Sequence, residues 1–136
     1  MNPRPIIHIY SFSYHETGIP PDRTGHGGGF VFDCRFLPNP GREERFRERT
    51  GRDPEISAYL DGLPEAELFW IRLSGIVEEA AKAYRAKEYD HMTVAFGCTG
   101  GRHRSVYFAE RLWRHLTGRG EECTLDHLAL PQEEEA

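Results

Sequence analysis

Hydrophobic and polar positions divide the chain into short β-type runs and longer helical ones. Residues 5–12 (PIIHIYSF) and 30–37 (FVFDCRFL) are rich in β-branched and aromatic residues and are bounded by Pro, Gly and Asn, which predicts two strands. Between them TGIPPDRTGHGGG carries Gly and Pro too densely for regular structure, and residues 13–29 are expected to be a mobile loop. Pro38-Asn39-Pro40-Gly41 must turn, because neither proline can continue a ladder.

From Arg42 to Asp53 the charges alternate in sign with no apolar stripe, as in a solvated short helix or ordered loop. Pro64–Ala86 opens with Pro and Glu and places Phe69, Leu73, Ile76, Val77, Ala80 and Tyr84 at helical spacing, predicting a long amphipathic helix. Residues 92–96 (MTVAF) form a near-continuous apolar strand, the pattern expected when both sheet faces are covered. A second helix over Ser105–Thr117 puts Val106, Ala109, Leu112, Trp113 and Leu116 on one face, with Gly118 just beyond; Trp70 and Trp113 read as packing residues. Cys123–Leu128 is the expected last strand, and residues 131–136 should fray. This alternation predicts an α/β fold: a single domain with a mostly parallel sheet of about four strands flanked by two main helices.

Length and composition agree with one domain: 136 residues, 38% hydrophobic and 29% charged. No apolar run is long enough to span a bilayer, and the first residues lack a cationic, then apolar, signal pattern, so a cytoplasmic protein without membrane contact is expected. Cys34, Cys98 and Cys123 are widely spaced with no CxxC pair, and the seven histidines form no HxH or HxxxH. Neither a disulfide framework, a metal site nor a cofactor is indicated. The net charge of −5 opposes nonspecific nucleic-acid binding. Within it, Arg102 to Arg119 holds five arginines against one acid, Glu110.

The chemistry concentrates in GCTGGRHRS, Gly97 to Ser105. At the carboxyl end of a buried strand, the first turn of the next helix offers unpaired N–H groups and a positive dipole end. Gly97, Gly100 and Gly101 permit close backbone approach, Thr99 and Ser105 offer hydroxyls, and Arg102, His103 and Arg104 add charge, a combination suited to phosphate. The GKS/T of a Walker A loop is absent. The segment also fits C-x5-R-S, Cys98 to Ser105, the phosphate loop of cysteine-dependent phosphatases, in which Cys98 would be the nucleophile and Arg104 the phosphate clamp. Against this, Gly97 replaces the histidine that often precedes the nucleophile, and no general acid is obvious, Asp33, Asp53 and Asp61 being no more than candidates.

Four runs, SFSYHETGIP (11–20), FDCRFLPNP (32–40), TGRDPEISAYLD (50–61) and GCTGGRHRSV (97–106), resemble the C-terminal domain of the RapZ family of RNase adapter proteins, in the same order and over nearly the whole chain. The resemblance implies a single domain of that type, which in the family follows a P-loop domain absent from these residues and binds an aminosugar phosphate or a nucleotide sugar. It implies that Thr99, Gly100, Gly101, His103, Arg104 and Ser105 hold phosphate, with Asp33, Arg35 and Asn39 as the facing wall. Gly41 stands where some relatives have a histidine, and LPQEEEA stands where RNA-binding relatives have a basic tail, which disfavours RNA as a partner. The expected function is a sensory or adapter module for a phosphorylated sugar, the alternatives being a Cys98 phosphatase and a small-RNA adapter. A homo-oligomer or a separate partner protein stays open.

Overall fold

The computed structural model describes residues 5–131. Four strands, β1 (Ile6–Ser13), β2 (Phe30–Asp33), β3 (His91–Cys98) and β4 (Cys123–His127), form one sheet in the order β2-β3-β1-β4, every pairing parallel. Three α-helices accompany them: α1 (Pro54–Asp61), α2 (Pro64–Ala86) and α3 (Arg104–Thr117). The α/β class and the parallel sheet are as expected. The short helix α1 is an addition, built by Pro54 at its first turn and by Ile56 and Leu60, one turn apart and fully buried. The charged stretch before it folds as two single 3-10 turns, Pro40–Arg42 and Glu44–Phe46, the second anchored by buried Phe46.

Register assigns the faces of the sheet. Ile7 lies beside Met92, Ile9 beside Val94 and Ser11 beside Phe96, so these side chains share one side. Phe96 stacks on Phe108 of α3 at 6.2 Å, and Phe32 of β2 meets Phe69 of α2 at 6.1 Å, which puts α2 and α3 on that same side. The apolar run of β3 therefore has helices on one face only. On the other, Tyr14 lies edge-on to Phe12 and His26 meets His91, so part of the cover comes from the 14–29 connection.

Chain path explains this division. The links β2 to β3 and β3 to β4 run one way across the sheet with helices on one face, and the link β1 to β2 runs back. Parallel crossovers are right-handed, so a returning link belongs on the opposite face. The loop itself is pinned by turns: Gly18 N–H donates to the Ser13 carbonyl at 2.7 Å, and Asp22 accepts from the Thr24 hydroxyl and the Gly27 N–H.

Helix α2 buries Ala66, Trp70, Leu73, Ser74, Val77 and Ala81, while Ile76, placed on the core face by spacing, is 49% exposed. The buried stripe is centred near Val77, and Ile76 sits one residue, about 100°, away from it. Trp70 is buried and carries the Arg111 guanidinium over its ring at 4.5 Å; Trp113 is partly buried against the core. The fraying expected for the tail concerns, beyond Pro131, residues outside the described range.

Candidate functional site

The carboxyl ends of β2 and β3 define the site, since both strands deliver their loops to the same edge of the sheet. After β3 the chain forms the Thr99–His103 loop and enters α3; after β2 it forms a strap from Cys34 to Glu43. Between them is a cavity of about 600 Å³ lined by Arg35, Phe36, Leu37, Pro38, Asn39, Arg42, Glu43, Tyr59, Glu65, Thr99 and Arg104. An open α/β sheet places ligands beyond the carboxyl ends of its strands, and this cavity lies there.

Glycines set the backbone. Gly101 has φ +68°, and a Cβ there would fall 2.8 Å from the Ser13 amide nitrogen and from the Ala129 side chain, so the loop needs glycine both for its conformation and for its contact with β1. A Cβ on Gly51 would fall 2.4 Å from the His103 carbonyl oxygen and the Tyr107 nitrogen, and Gly51 N–H donates to the Arg102 carbonyl at 2.8 Å. The TGRDP turn is therefore pressed against the start of α3.

Arg104 is the centre of the arrangement. Its side chain is 4% exposed, and Nη1 donates to the carbonyls of Arg35 at 2.9 Å and Leu37 at 2.8 Å, tying strap to helix. Its Nε is buried with no hydrogen-bond partner. Helix α3 also lacks a side-chain cap from His103; within its first turn, Ser105 N–H reaches the Cys98 sulfur at 3.5 Å. An unsatisfied buried donor is costly, and this one lies beside the start of a helix.

Of the residues predicted from sequence, Thr99, Arg104, Arg35 and Asn39 line the cavity. Asn39 also accepts from Gly41 N–H at 2.9 Å, shaping the turn. Asp33 grips Arg35 with both carboxylate oxygens, at 2.8 and 2.9 Å, and the Arg35 guanidinium lies 3.7 Å over the Tyr14 ring. The hydrogen bonds from Arg35 hold the Asp33 carboxyl below its ordinary range. Asp33 thus orients Arg35 rather than lining the cavity.

His103 turns away from the cavity: Nε2 donates to the Phe46 carbonyl at 3.0 Å, and burial lowers its pKa. Gly100, Gly101 and Arg102 lie in the loop outside the lining, and Ser105 is fully buried. Cys98 is also buried, its sulfur 3.1 Å from the Ser105 hydroxyl. The three carboxylates considered as general acids all have other partners: Asp33 with Arg35, Asp53 accepting from Thr50 N–H, and Asp61 from the Tyr107 hydroxyl.

Sequence reading missed Phe36, Arg42, Glu43, Tyr59 and Glu65 in the lining. Arg42 and Glu43 lie in the charged stretch read only as solvated, and Tyr59 is delivered by α1.

Behind the loop, a second polar network joins α3 to β4. His127 Nε2 donates to Glu110 at 2.7 Å, leaving Nδ1 to accept from the fully buried Ser11 hydroxyl at 2.6 Å, and Arg52 approaches the same carboxylate at 3.8 Å. The hydrogen bond from His127, with the charges of Arg52 and Arg114 beside it, keeps Glu110 below the usual carboxylate range. Among the described residues, no group of three or more His, Cys, Asp or Glu side chains is arranged to hold a metal ion, and no helix is long and apolar enough to cross a membrane.

A helix start facing a strap across the carboxyl edge of a parallel sheet, with a buried arginine between them, marks an α/β domain built around a polar crevice. The family model of the RapZ C-terminal domain matches residues 5–131, and the chain belongs to that family. Similar full-length proteins include a nucleotide-binding protein of Solibacter usitatus (strain Ellin6076), 37% identical over 122 residues, covering 90% of this chain and 36% of that protein. Another, from Ruegeria sp. (strain TM1040), is 38% identical over 128 residues, covering 94% of this chain and 41% of its own length. A third, from Thioalkalivibrio sulfidiphilus (strain HL-EbGR7), is 49% identical over 87 residues, covering 64% of this chain and 30% of its own length. The chain thus spans well under half the length of these relatives.

Proposed function

We propose that the crevice between the Cys34–Glu43 strap and the Thr99–Arg104 loop binds a phosphorylated sugar, and that the domain acts as a sensory or adapter module for it. The observation that carries this reading is the buried, unpartnered Nε of Arg104 beside the uncapped start of α3. A phosphate oxygen there would accept from Nε and from free N–H groups, with Thr99 adding a hydroxyl. The names of the relatives, nucleotide-binding proteins, support a phosphorylated small ligand.

The rest of the lining favours a ligand of mixed charge. Arg35 and Arg42 add positive charge, while Glu43 and Glu65 offer carboxylates to an amine, as an aminosugar phosphate would require. Phe36 and Tyr59 provide apolar and ring-stacking surface for a sugar or a base, which keeps nucleotide sugars within the class. A cytoplasmic location is part of this proposal, since such ligands are intracellular metabolites.

Calorimetric titration with glucosamine 6-phosphate, glucose 6-phosphate, glucosamine and a nucleotide sugar tests it. Binding of phosphorylated ligands, with the unphosphorylated amine inert and Thr99→Val weakened, is the expected result; no heat from any member of the panel refutes it. A phosphatase reading rests on the C-x5-R-S pattern and on the contact of the Cys98 sulfur with the Ser105 hydroxyl. It requires turnover of an aryl phosphate that disappears in Cys98→Ser.

A further inference from the structure

β2 and β3 run in parallel register, with Phe32 beside Phe96 and Asp33 beside Gly97, and the ladder continues as Cys34 N–H donates to the Gly97 carbonyl at 2.7 Å. The next cross-strand pair is Cys34 and Cys98. Both are free thiols, both are buried at 0% and 2% exposure, and both follow the parity of Phe32 and Phe96 onto the helix-covered face. Neighbouring strands lie about 4.8 Å apart, within the roughly 4.4–6.8 Å Cα separation that a disulfide spans. Neither thiol lines the crevice; one stands at the root of the strap and one at the root of the loop.

We propose that Cys34 and Cys98 form a reversible disulfide that switches off ligand binding in the crevice. The gating half rests on the ligand reading above; the cross-link does not. The oxidant is a hydroperoxide, approaching Cys98 from the side of the exposed Thr99–Gly100 turn that follows it. The Cys98 thiolate attacks one peroxide oxygen, the O–O bond breaks, and the departing hydroxide takes up a proton, leaving a sulfenic acid and water. The Cys34 sulfur then attacks the Cys98 sulfur and displaces the hydroxyl, which leaves as a second water with the Cys34 proton. Two thiols lose two electrons in all, and hydrogen peroxide becomes two waters.

The order of events follows from the surroundings. Cys34 is fully buried and burial pushes its thiol well up, which disfavours it as the first to meet peroxide, whereas Cys98 adjoins the exposed Thr99–Gly100 turn. Cys98 has the Ser105 hydroxyl and N–H against its sulfur. To bond Cys34, that sulfur must swing away from Ser105, withdrawing its contact from the first turn of α3. The same bond ties the strap to β3 immediately before the carbonyls that hold Arg104. Cys123 is excluded by position, since β4 pairs only with β1, and burial pushes its thiol up to about 11.

The test oxidises the purified protein with hydrogen peroxide, maps peptides without reduction, and titrates glucosamine 6-phosphate before oxidation, after it, and after dithiothreitol. A Cys34–Cys98 linked peptide, at least tenfold weaker binding and recovery on reduction are expected. Cys34→Val and Cys34→Ala should bind as wild type when reduced and form no linked peptide. Cys98 recovered as sulfinic acid or free thiol with no link to Cys34, or linkage through Cys123, overturns the cross-link. Undiminished binding by the cross-linked protein overturns the gating. A reduced protein that binds no probe refutes the ligand reading and the gating together, while the peptide map still decides the cross-link.

Discussion

Replacing Arg104 separates its structural role from its proposed one, because the guanidinium holds the strap with Nη1 and leaves Nε, the atom proposed to meet an anion, unpartnered. In Arg104→Met the two carbonyl contacts are lost, each a hydrogen bond from a charged donor worth about 1.5–3 kcal/mol. Removing the buried, unsatisfied Nε returns about 1–3 kcal/mol. The net destabilisation expected is about 2–3 kcal/mol, a Tm lowered by roughly 6–15 °C for a domain of this size. Arg104→Lys keeps the charge and one donor group but not the fork, so it can reach a strap carbonyl or an anion, and not both in the same geometry. Its Tm should lie close to wild type, while affinity for a sugar phosphate falls about 10- to 150-fold, matching the loss of one charge-assisted hydrogen bond. Differential scanning fluorimetry with and without ligand reads both quantities, since ligand at a hundred times Kd stabilises the wild type by about 2.7 kcal/mol. Ligand-induced stabilisation of wild-type size in both variants would refute the assignment of Nε to the anion.

Two further perturbations test the frame around the crevice. Gly51→Ala drives a Cβ against the backbone of His103 and Tyr107, which cannot swing aside as a side chain would; it should destabilise the domain by about 1–3 kcal/mol or more and weaken ligand binding, measured by urea unfolding and calorimetry. The Tyr107 hydroxyl, pushed up to about 12 by burial and by its bond to Asp61, gives an alkaline signature. The folded state holds this proton more tightly than the unfolded chain, whose tyrosine titrates near 10.0, so the contribution is complete below that value and is lost as pH climbs toward 12. Urea unfolding across that window should show falling stability, and Tyr107→Phe should flatten the fall; an unchanged slope in the variant would refute the assignment.

What the sequence made legible is what period and composition determine. Strand and helix identities followed from β-branched runs and from apolar residues at helical spacing, and β3 and α3 emerged within two residues of their expected ends. Sheet order is set by crossover handedness and packing, which leave no local mark. The run MTVAF looked alike whether its second face met helices or a loop, because Thr93 and Ala95 suit either. Helix α1 was hidden because only two of its eight residues are buried, too few to show a stripe.

The site divided along the same line. GCTGGRHRS stood out because the anion binding proposed for it would need glycine, hydroxyls and arginine close together in sequence. Which of those residues face the crevice depends on contacts far along the chain: His103 is turned aside by the carbonyl of Phe46, and Asp33 is spent on Arg35. The carboxylates of Glu43 and Glu65 come from segments with no motif, brought in by the strap and by the first turn of α2. Local sequence therefore specifies the proposed phosphate end of the crevice, and tertiary contacts specify the end that, on the same proposal, would distinguish one phosphorylated sugar from another. Ligand selectivity should accordingly follow residues 42–65 more closely than it follows the glycine-rich loop.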